Sequence, residues 1–237
     1  MKIAHVLAVP ATEERISNLK KLFSQFENEE LEIDVLTYDD GPPDMEYYSR
    51  YLHAINLMIK DKDRLNQYNA ISIACFYDPG LRELREVLDI PVVGIANASY
   101  ILAQNYGHSF SVIVSRKKNI PKMMDNASLY GMDKKIRSWK SLDMSVQELK
   151  QSPHLAKEKA EKLVQEAIYE DGAEVIILGC GALSGIENEL QSKYKIPIIN
   201  PVIAGITCAK WLGELNEKLQ LSTSKIYDFE SETVQII

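Results

Sequence analysis

The sequence predicts an α/β protein of two pseudo-symmetric lobes, each a short, mostly parallel sheet flanked by helices, with a cleft between the lobes. Three observations predict it. Apolar runs of strand length alternate with amphipathic stretches; one strand–helix–strand pattern occurs twice; and each copy carries a cysteine at the same place. The first copy reads Ile73-Ala74-Cys75, a helical stretch, then Ile90-Pro91-Val92-Val93-Gly94. The second reads Leu178-Gly179-Cys180, a helical stretch, then Ile196-Pro197-Ile198-Ile199-Asn200. Cys75 precedes Pro91 by 16 residues and Cys180 precedes Pro197 by 17, so the two β-α-β units are nearly equal in length.

Taken in order, strands are expected at Ile3–Val9, Leu31–Thr37, Ala70–Cys75, Val92–Gly94, Phe110–Ser115, Ile136–Leu142, Glu174–Gly179 and Ile198–Asn200. Glu13–Phe26 reads as a helix because Ile16, Leu19, Leu22, Phe23 and Phe26 recur every three to four residues. Tyr47–Leu65 repeats the pattern with Tyr51, Leu52, Ile55, Met58 and Ile59. Leu155–Tyr169 follows Ser152-Pro153, a proline suited to a first helical turn. A last helix is expected over about Ala204–Leu219, with the tail Thr223–Ile237 packing back on the first lobe. No Gly/Ser linker divides the chain, so the boundary comes from the repeat. Residues 1–96 with 207–237 form the expected lobe carrying Cys75, and residues 97–206 the lobe carrying Cys180.

Composition excludes several classes of function. A formal charge of -7 and a pI near 5.3 leave no basic stripe for nucleic acid, and Arg116-Lys117-Lys118, the densest basic cluster, reads as a solvated turn. No apolar run approaches the roughly 20 residues of a membrane span, and Met1-Lys2-Ile3 leads into a strand pattern without a secretory h-region. Three cysteines in 237 residues are no disulfide framework, so a reducing cytoplasm is the expected compartment. The expected partner is a small-molecule substrate; self-association is left open.

Ligands of open α/β sheets gather at the carboxyl ends of strands, where both thiols fall. Cys75 is followed by Phe76-Tyr77-Asp78-Pro79-Gly80-Leu81, in which Asp78 is the expected N-cap and Pro79 the first helical residue. That places the thiol just before a helix N-terminus, whose dipole favours a thiolate. Cys180 is followed by Gly181-Ala182-Leu183-Ser184-Gly185, a loop whose main chain can approach a ligand closely and turn N–H groups inward. A lone cysteine ending an apolar strand is usually a small buried hydrophobe. The matched placement of two, each followed by turn chemistry, argues otherwise. Cys208, mid-helix among Ile206, Ala209 and Leu212, is the contrasting case and reads as core packing.

The stretch from Ala74 through Leu81, continued by Pro91-Val92-Val93-Gly94-Ile95-Ala96, resembles the first signature of the aspartate/glutamate/hydantoin racemase superfamily, most closely its hydantoin racemase branch. Ile177-Leu178-Gly179-Cys180 with Pro197-Ile198-Ile199 resembles the second signature, and Thr223-Ser224-Lys225 is similar to the same branch. The resemblance implies a cofactor-independent racemase in which Cys75 and Cys180 flank a stereocentre, one thiolate taking the α-proton while the opposite thiol returns one. A 5-substituted hydantoin or amino-acid derivative is the implied substrate. Thr12, Phe76, Tyr77, Ser115, Gly181 and Ala182 are the expected substrate-binding residues. The chain departs from the pattern in four places, one of them Tyr77, which stands where the family often has a small residue. Val9-Pro10-Ala11-Thr12 lacks the two asparagines of the usual Asn-Pro-Asn-Thr, Gly181-Ala182-Leu183 replaces Ala-Gly-Met, and Val114-Ser115 replaces a Thr-Thr pair.

Other constellations fall short. Gly179 to Gly185 lacks the third glycine of a dinucleotide loop, and the next strand ends in Asn200 where a ribose needs a carboxylate. No metal is expected, because His5, His53, His108 and His154 are scattered; His5 reads as a satisfied core histidine. The Asp39–Asp44 segment reads as a solvated loop. Two rivals to racemisation stay open: a related isomerase or decarboxylase using one cysteine, and a non-catalytic two-lobed binding protein.

Overall fold

Two four-stranded, all-parallel sheets carry the fold in a computed structural model that describes residues 1–230. Residues 231–237, which end the expected tail, lie outside the described residues. The strands are β1 (Lys2–Leu7), β2 (Glu32–Thr37), β3 (Ala70–Ile73), β4 (Val92–Gly94), β5 (Phe110–Val114), β6 (Ile136–Ser141), β7 (Val175–Leu178) and β8 (Ile198–Ile199). One sheet has the order β2-β1-β3-β4 and the other β6-β5-β7-β8, the same order counted within each. Every residue of β3, β5 and β7 is buried, the continuous apolar pattern of parallel strands covered on both faces. The edge strands β2 and β6 are partly exposed, as edges are.

The helices are α1 (Glu13–Phe23), α2 (Tyr48–Lys60), α3 (Lys62–Leu65), α4 (Leu81–Val87), α5 (Ile95–Ala103), α6 (Ile120–Leu129), α7 (Val146–Gln151), α8 (Pro153–Tyr169), α9 (Glu187–Tyr194) and α10 (Pro201–Leu219). Thr12 caps α1 by accepting the Arg15 N–H (3.3 Å). The helix stops at Phe23, three residues short of the expected end. The helix expected over Tyr47–Leu65 is broken at Asp61, whose carboxylate accepts the Tyr38 hydroxyl (2.8 Å), and α3 follows as a single turn. Pro153 does start α8, and α10 begins earlier than expected because Asn200-Pro201 caps it.

By contacts the described chain divides into two compact units. The first holds Met1–Ala74, Asp78–Gly94 and the described residues from Gly205; the second holds Cys75–Tyr77 and Ile95–Ala204. The sequence repeat is a repeat of hydrogen bonding as well. In the first unit Ile71 N–H donates to Pro91 C=O (3.0 Å) and Ala74 N–H to Val6 C=O (2.8 Å); in the second, Ile176 N–H donates to Pro197 C=O (3.0 Å) and Gly179 N–H to Ile113 C=O (2.7 Å). Each proline opens its strand, the one place where a missing N–H costs the ladder nothing. Each pre-cysteine residue extends its strand by one bond to the central strand.

The repeat is not perfect, and packing says why. Ala74 carries a Cβ, whereas one added at Gly179 would come within 2.8 Å of Val112 Cγ1 and 3.0 Å of Val114 Cγ1. A Gly179→Ala protein should therefore lose about 1–3 kcal/mol, the usual range for overpacking a core, in a urea unfolding curve. An unchanged midpoint would contradict the packing described.

His5, on β1, is fully buried against the ring of Phe23 (5.2 Å, edge-on). Its Nδ1 shares a hydrogen bond with Ser72 Oγ (3.3 Å), but Nε2 has no hydrogen-bond partner, so the expected satisfaction is only half met. Burial, helped by the Arg15 charge, lowers its pKa from 6.5 to about 3. A depressed folded-state pKa means that the unfolded chain binds the proton first. Stability is intact above pH 6.5 and falls as the pH drops from there toward 3. At pH 5 the cost is about 2 kcal/mol. A His5→Leu variant should be flatter by that amount between pH 7 and pH 5 in urea unfolding; parallel pH profiles would refute the assignment.

Candidate active site

The chain leaves β3 at Ile73, and Ala74 is still tied to the sheet. Cys75 follows, half-buried. The next two side chains turn into the second unit. Phe76 is 2% exposed and meets the ring of Tyr100 edge-on at 5.7 Å; Tyr77 is 6% exposed, and its carbonyl accepts from Asn126 Nδ2 at 2.7 Å. Lys122 Nζ lies 5.7 Å from the centre of the Tyr77 ring. The side chains of Phe76 and Tyr77, both expected to bind substrate, are thus buried.

Asp78 is not the N-cap expected of it. Helix α4 starts at Leu81, and its cap is Gly80, at φ 71. Asp78 is itself left-handed, at φ 47, and 3% exposed. Its carboxyl lies against Gly94, where an added Cβ would fall within 2.2 Å of Cγ. With that side chain turned inward and two left-handed residues in three, the chain cannot enter a helix before Leu81. Five residues separate Cys75 from α4, so the thiol does not sit directly on a helix end. A non-glycine residue held at positive φ is a strained position of the kind that clusters at functional sites.

The second cysteine leaves β7 in the same way, with Gly179 bonded to Ile113. Cys180 is extended (φ −155) and half-buried, and it caps a single 3-10 turn, Gly181–Leu183. Gly181 and Ala182 are exposed. Downstream a buried polar network pins the loop. Glu187, 8% exposed, accepts from Gly185 N–H (2.6 Å) and from Asn200 Nδ2 (2.9 Å). Asn200 Oδ1 in turn accepts from the Ser184 hydroxyl (3.2 Å) and from Val202 N–H (2.9 Å), capping α10. Charge-assisted bonds of this kind are stronger than neutral ones and fix geometry.

The remaining expected residues are placed as follows. Ser115, at the end of β5, is buried, its hydroxyl accepting from Asn119 Nδ2 (2.9 Å). Thr12 is exposed in the first unit and serves as the α1 cap. Cys75, Phe76, Tyr77, Ser115, Cys180, Gly181 and Ala182 all belong to the second unit. None of the three cysteines forms a disulfide. Cys208, on α10, has its thiol pKa raised by burial, against the lowering effect of Arg85. The Asp39–Asp44 loop is held by Arg50, which pairs with Asp44 and stacks on Tyr47. A concavity of about 680 Å³ along β8, lined by Tyr106, Gln191, Lys195 and Pro197 among others, includes neither Cys75 nor Cys180. Among the described residues no group of three or more His, Cys, Asp or Glu is placed to hold a metal, and no helix is long and apolar enough to cross a membrane.

Sequence reasoning missed Glu187 and Asn200. Asn200 had a signal: asparagine directly before proline after an apolar run is a helix start. Glu187 had none, because its side-chain partner Asn200 lies thirteen residues away, beyond α9.

The comparisons with known proteins agree with this architecture. The model of the Asp/Glu/Hydantoin racemase family matches residues 5–209. A hydantoin racemase of Pseudomonas sp. strain NS671 is 32% identical over 192 residues, 80% of this chain and 76% of its own. The Rhizobium meliloti hydantoin racemase is 37% identical over 144 residues, 61% of this chain and 60% of its own. The structure of an allantoin racemase from Pseudomonas fluorescens superposes with a TM-score of 0.88 at 27% identity, covering 100% of this chain and 99% of that one. On the family match and these relatives, the chain belongs to the Asp/Glu/hydantoin racemase family and is an isomerase of the racemase type.

Proposed function

We propose that the protein is a cofactor-independent racemase of 5-substituted hydantoins, with Cys75 and Cys180 as its two proton-transfer groups. The observation that carries the reading is their equivalence. Each is half-buried and stands two residues beyond the third strand of its repeat, after a residue bonded to the central strand. The substrate class is supported by relatives named hydantoin racemase and by a solved relative named allantoin racemase. Allantoin is itself a hydantoin with a ureido group at C5, so both names describe one ring.

The chemistry follows from the ring. The C5 hydrogen lies beside the C4 carbonyl, so its removal gives an enolate. In one direction the Cys75 thiolate takes the proton and the Cys180 thiol delivers its own to the opposite face; the roles reverse for the other enantiomer. Exchange with solvent resets the two thiols. A thiol with an ordinary pKa of about 8.5 needs little tuning to serve near neutrality. Stabilising the enolate oxygen is the larger task, and main-chain N–H groups of residues 76–77 and 181–182 are the donors assigned to it. The Ser115 hydroxyl, in the same unit as both cysteines, is assigned to the ring. A reducing compartment, the cytoplasm, keeps both thiols available.

The test is incubation of one enantiomer of a 5-substituted hydantoin, and separately of allantoin, in D₂O. Optical rotation should decay to zero as deuterium enters C5. Cys75→Ser and Cys180→Ser should each slow racemisation by roughly 10²–10⁴-fold, the usual weight of one acid–base group. Cys208→Ser should leave the rate unchanged. Parental racemisation in either of the first two variants would contradict the paired assignment.

A further inference from the structure

The tail beyond α10 returns to α4, where two of its side chains attach. Lys225 Nζ donates to three main-chain carbonyls, those of Arg85 and Glu86 (2.6 Å each) and of Leu88 (2.9 Å). An ammonium has three donors, so the whole hydrogen-bonding capacity of this lysine is spent on one helix end. Arg85 and Glu86 lie in the last turn of α4, where carbonyls have no partner within the helix, and a cation there also complements the helix dipole. Three residues further on, both carboxylate oxygens of Asp228 accept from Arg82 in the first turn of α4 (2.8 Å each). The tail therefore lies along α4 from its last turn back to its first.

Helix α4 needs such a brace. It has seven residues, far below the length at which a helix holds by itself, and it buries only Leu81 and Leu84. It also ends the Cys75 loop, which Ala74 begins and in which Phe76, Tyr77 and Asp78 are buried. Just before α4 the main chain adopts left-handed conformations at Asp78 and Gly80. Strained backbone persists only where its surroundings over-determine it.

We propose that Lys225 is a positioning residue for Cys75. By closing the carbonyl end of α4 it fixes the helix, and through the helix the conformation of residues 75–80. This gives a role to the Thr223-Ser224-Lys225 motif, and it rests on the reading of Cys75 as a proton-transfer group. The effect is confined to one cysteine, since Cys180 is held by Glu187 and Asn200 instead.

The experiment uses full-length Lys225→Met, which keeps the stem and removes the donors, beside Lys225→Arg. Alkylation by iodoacetamide, at a pH where both thiols are ionised, is followed at each cysteine by peptide mass spectrometry. In Lys225→Met, labelling of Cys75 should accelerate roughly tenfold as its loop opens, with Cys180 unchanged. On a racemised substrate kcat should fall roughly tenfold, with KM near the parent value, because a small misplacement of a reacting group acts on the chemical step. Lys225→Arg should recover most of both. Parental labelling and kcat in a folded Lys225→Met protein would overturn the proposal, as would equal acceleration at both cysteines. Should Lys225→Met fail to fold, Asp228→Asn removes the other end of the strap, and about a twofold change at Cys75 alone is expected. Unchanged labelling there would overturn it too. If the parent protein racemises no hydantoin, the functional reading fails, and the labelling contrast still decides the strap.

Discussion

Two main-chain hydrogen bonds, from Ala74 to Val6 and from Gly179 to Ile113, set the rest of the site. Each carries a strand one residue beyond its regular ladder and then releases the chain at a cysteine. Neither bond depends on a side chain, so the position of each thiol follows from the parallel register of its sheet. The two strands that lead to the cysteines are buried on both faces, as parallel strands covered by helices are.

Beyond the cysteines the two loops are held by different physics. The first is held by apolar anchors, Phe76 and Tyr77, and by a buried Asp78 packed on Gly94. The second has exposed residues at its tip and is held by the Glu187–Asn200–Ser184 network. A thiol beside aromatic packing and a thiol beside a charged network are not interchangeable environments. The symmetry of the fold therefore supplies two equivalent positions, and the loops make them chemically distinct. A racemase acting on enantiomers has use for both properties, since the two directions share one transition region but start from different faces.

Much of this was legible in the residues. The alternation of apolar runs with helical periodicity predicts all eight strands, and the pair of Cys…Ile-Pro patterns identifies the repeat that the sheet orders display. Local signals served well where the partner is local, as with Pro153 at the start of α8. They failed where a distant group decides. Asp78 has the right chemistry for an N-cap, yet Gly94, sixteen residues away, admits its carboxyl and draws it inward. The helix over Tyr47–Leu65 breaks at Asp61, whose backbone leaves the helical region and whose carboxylate accepts from Tyr38, 23 residues away. Thr223-Ser224-Lys225 stands out in the sequence only by resemblance, and what Lys225 does there is visible once α4 offers it three carbonyls.

The central claim is that each cysteine serves one face of the substrate carbon. The most direct measurement is C5 proton–deuteron exchange in D₂O, followed by NMR separately for each enantiomer, in Cys75→Ser and in Cys180→Ser. A serine hydroxyl is a far weaker acid than a thiol and supplies no base, whereas the intact thiolate opposite still removes a proton. The account predicts that each variant exchanges one enantiomer and spares the other, with opposite preferences in the two variants. Loss of all exchange with both enantiomers in folded variants, or exchange of both enantiomers by either one, would contradict it.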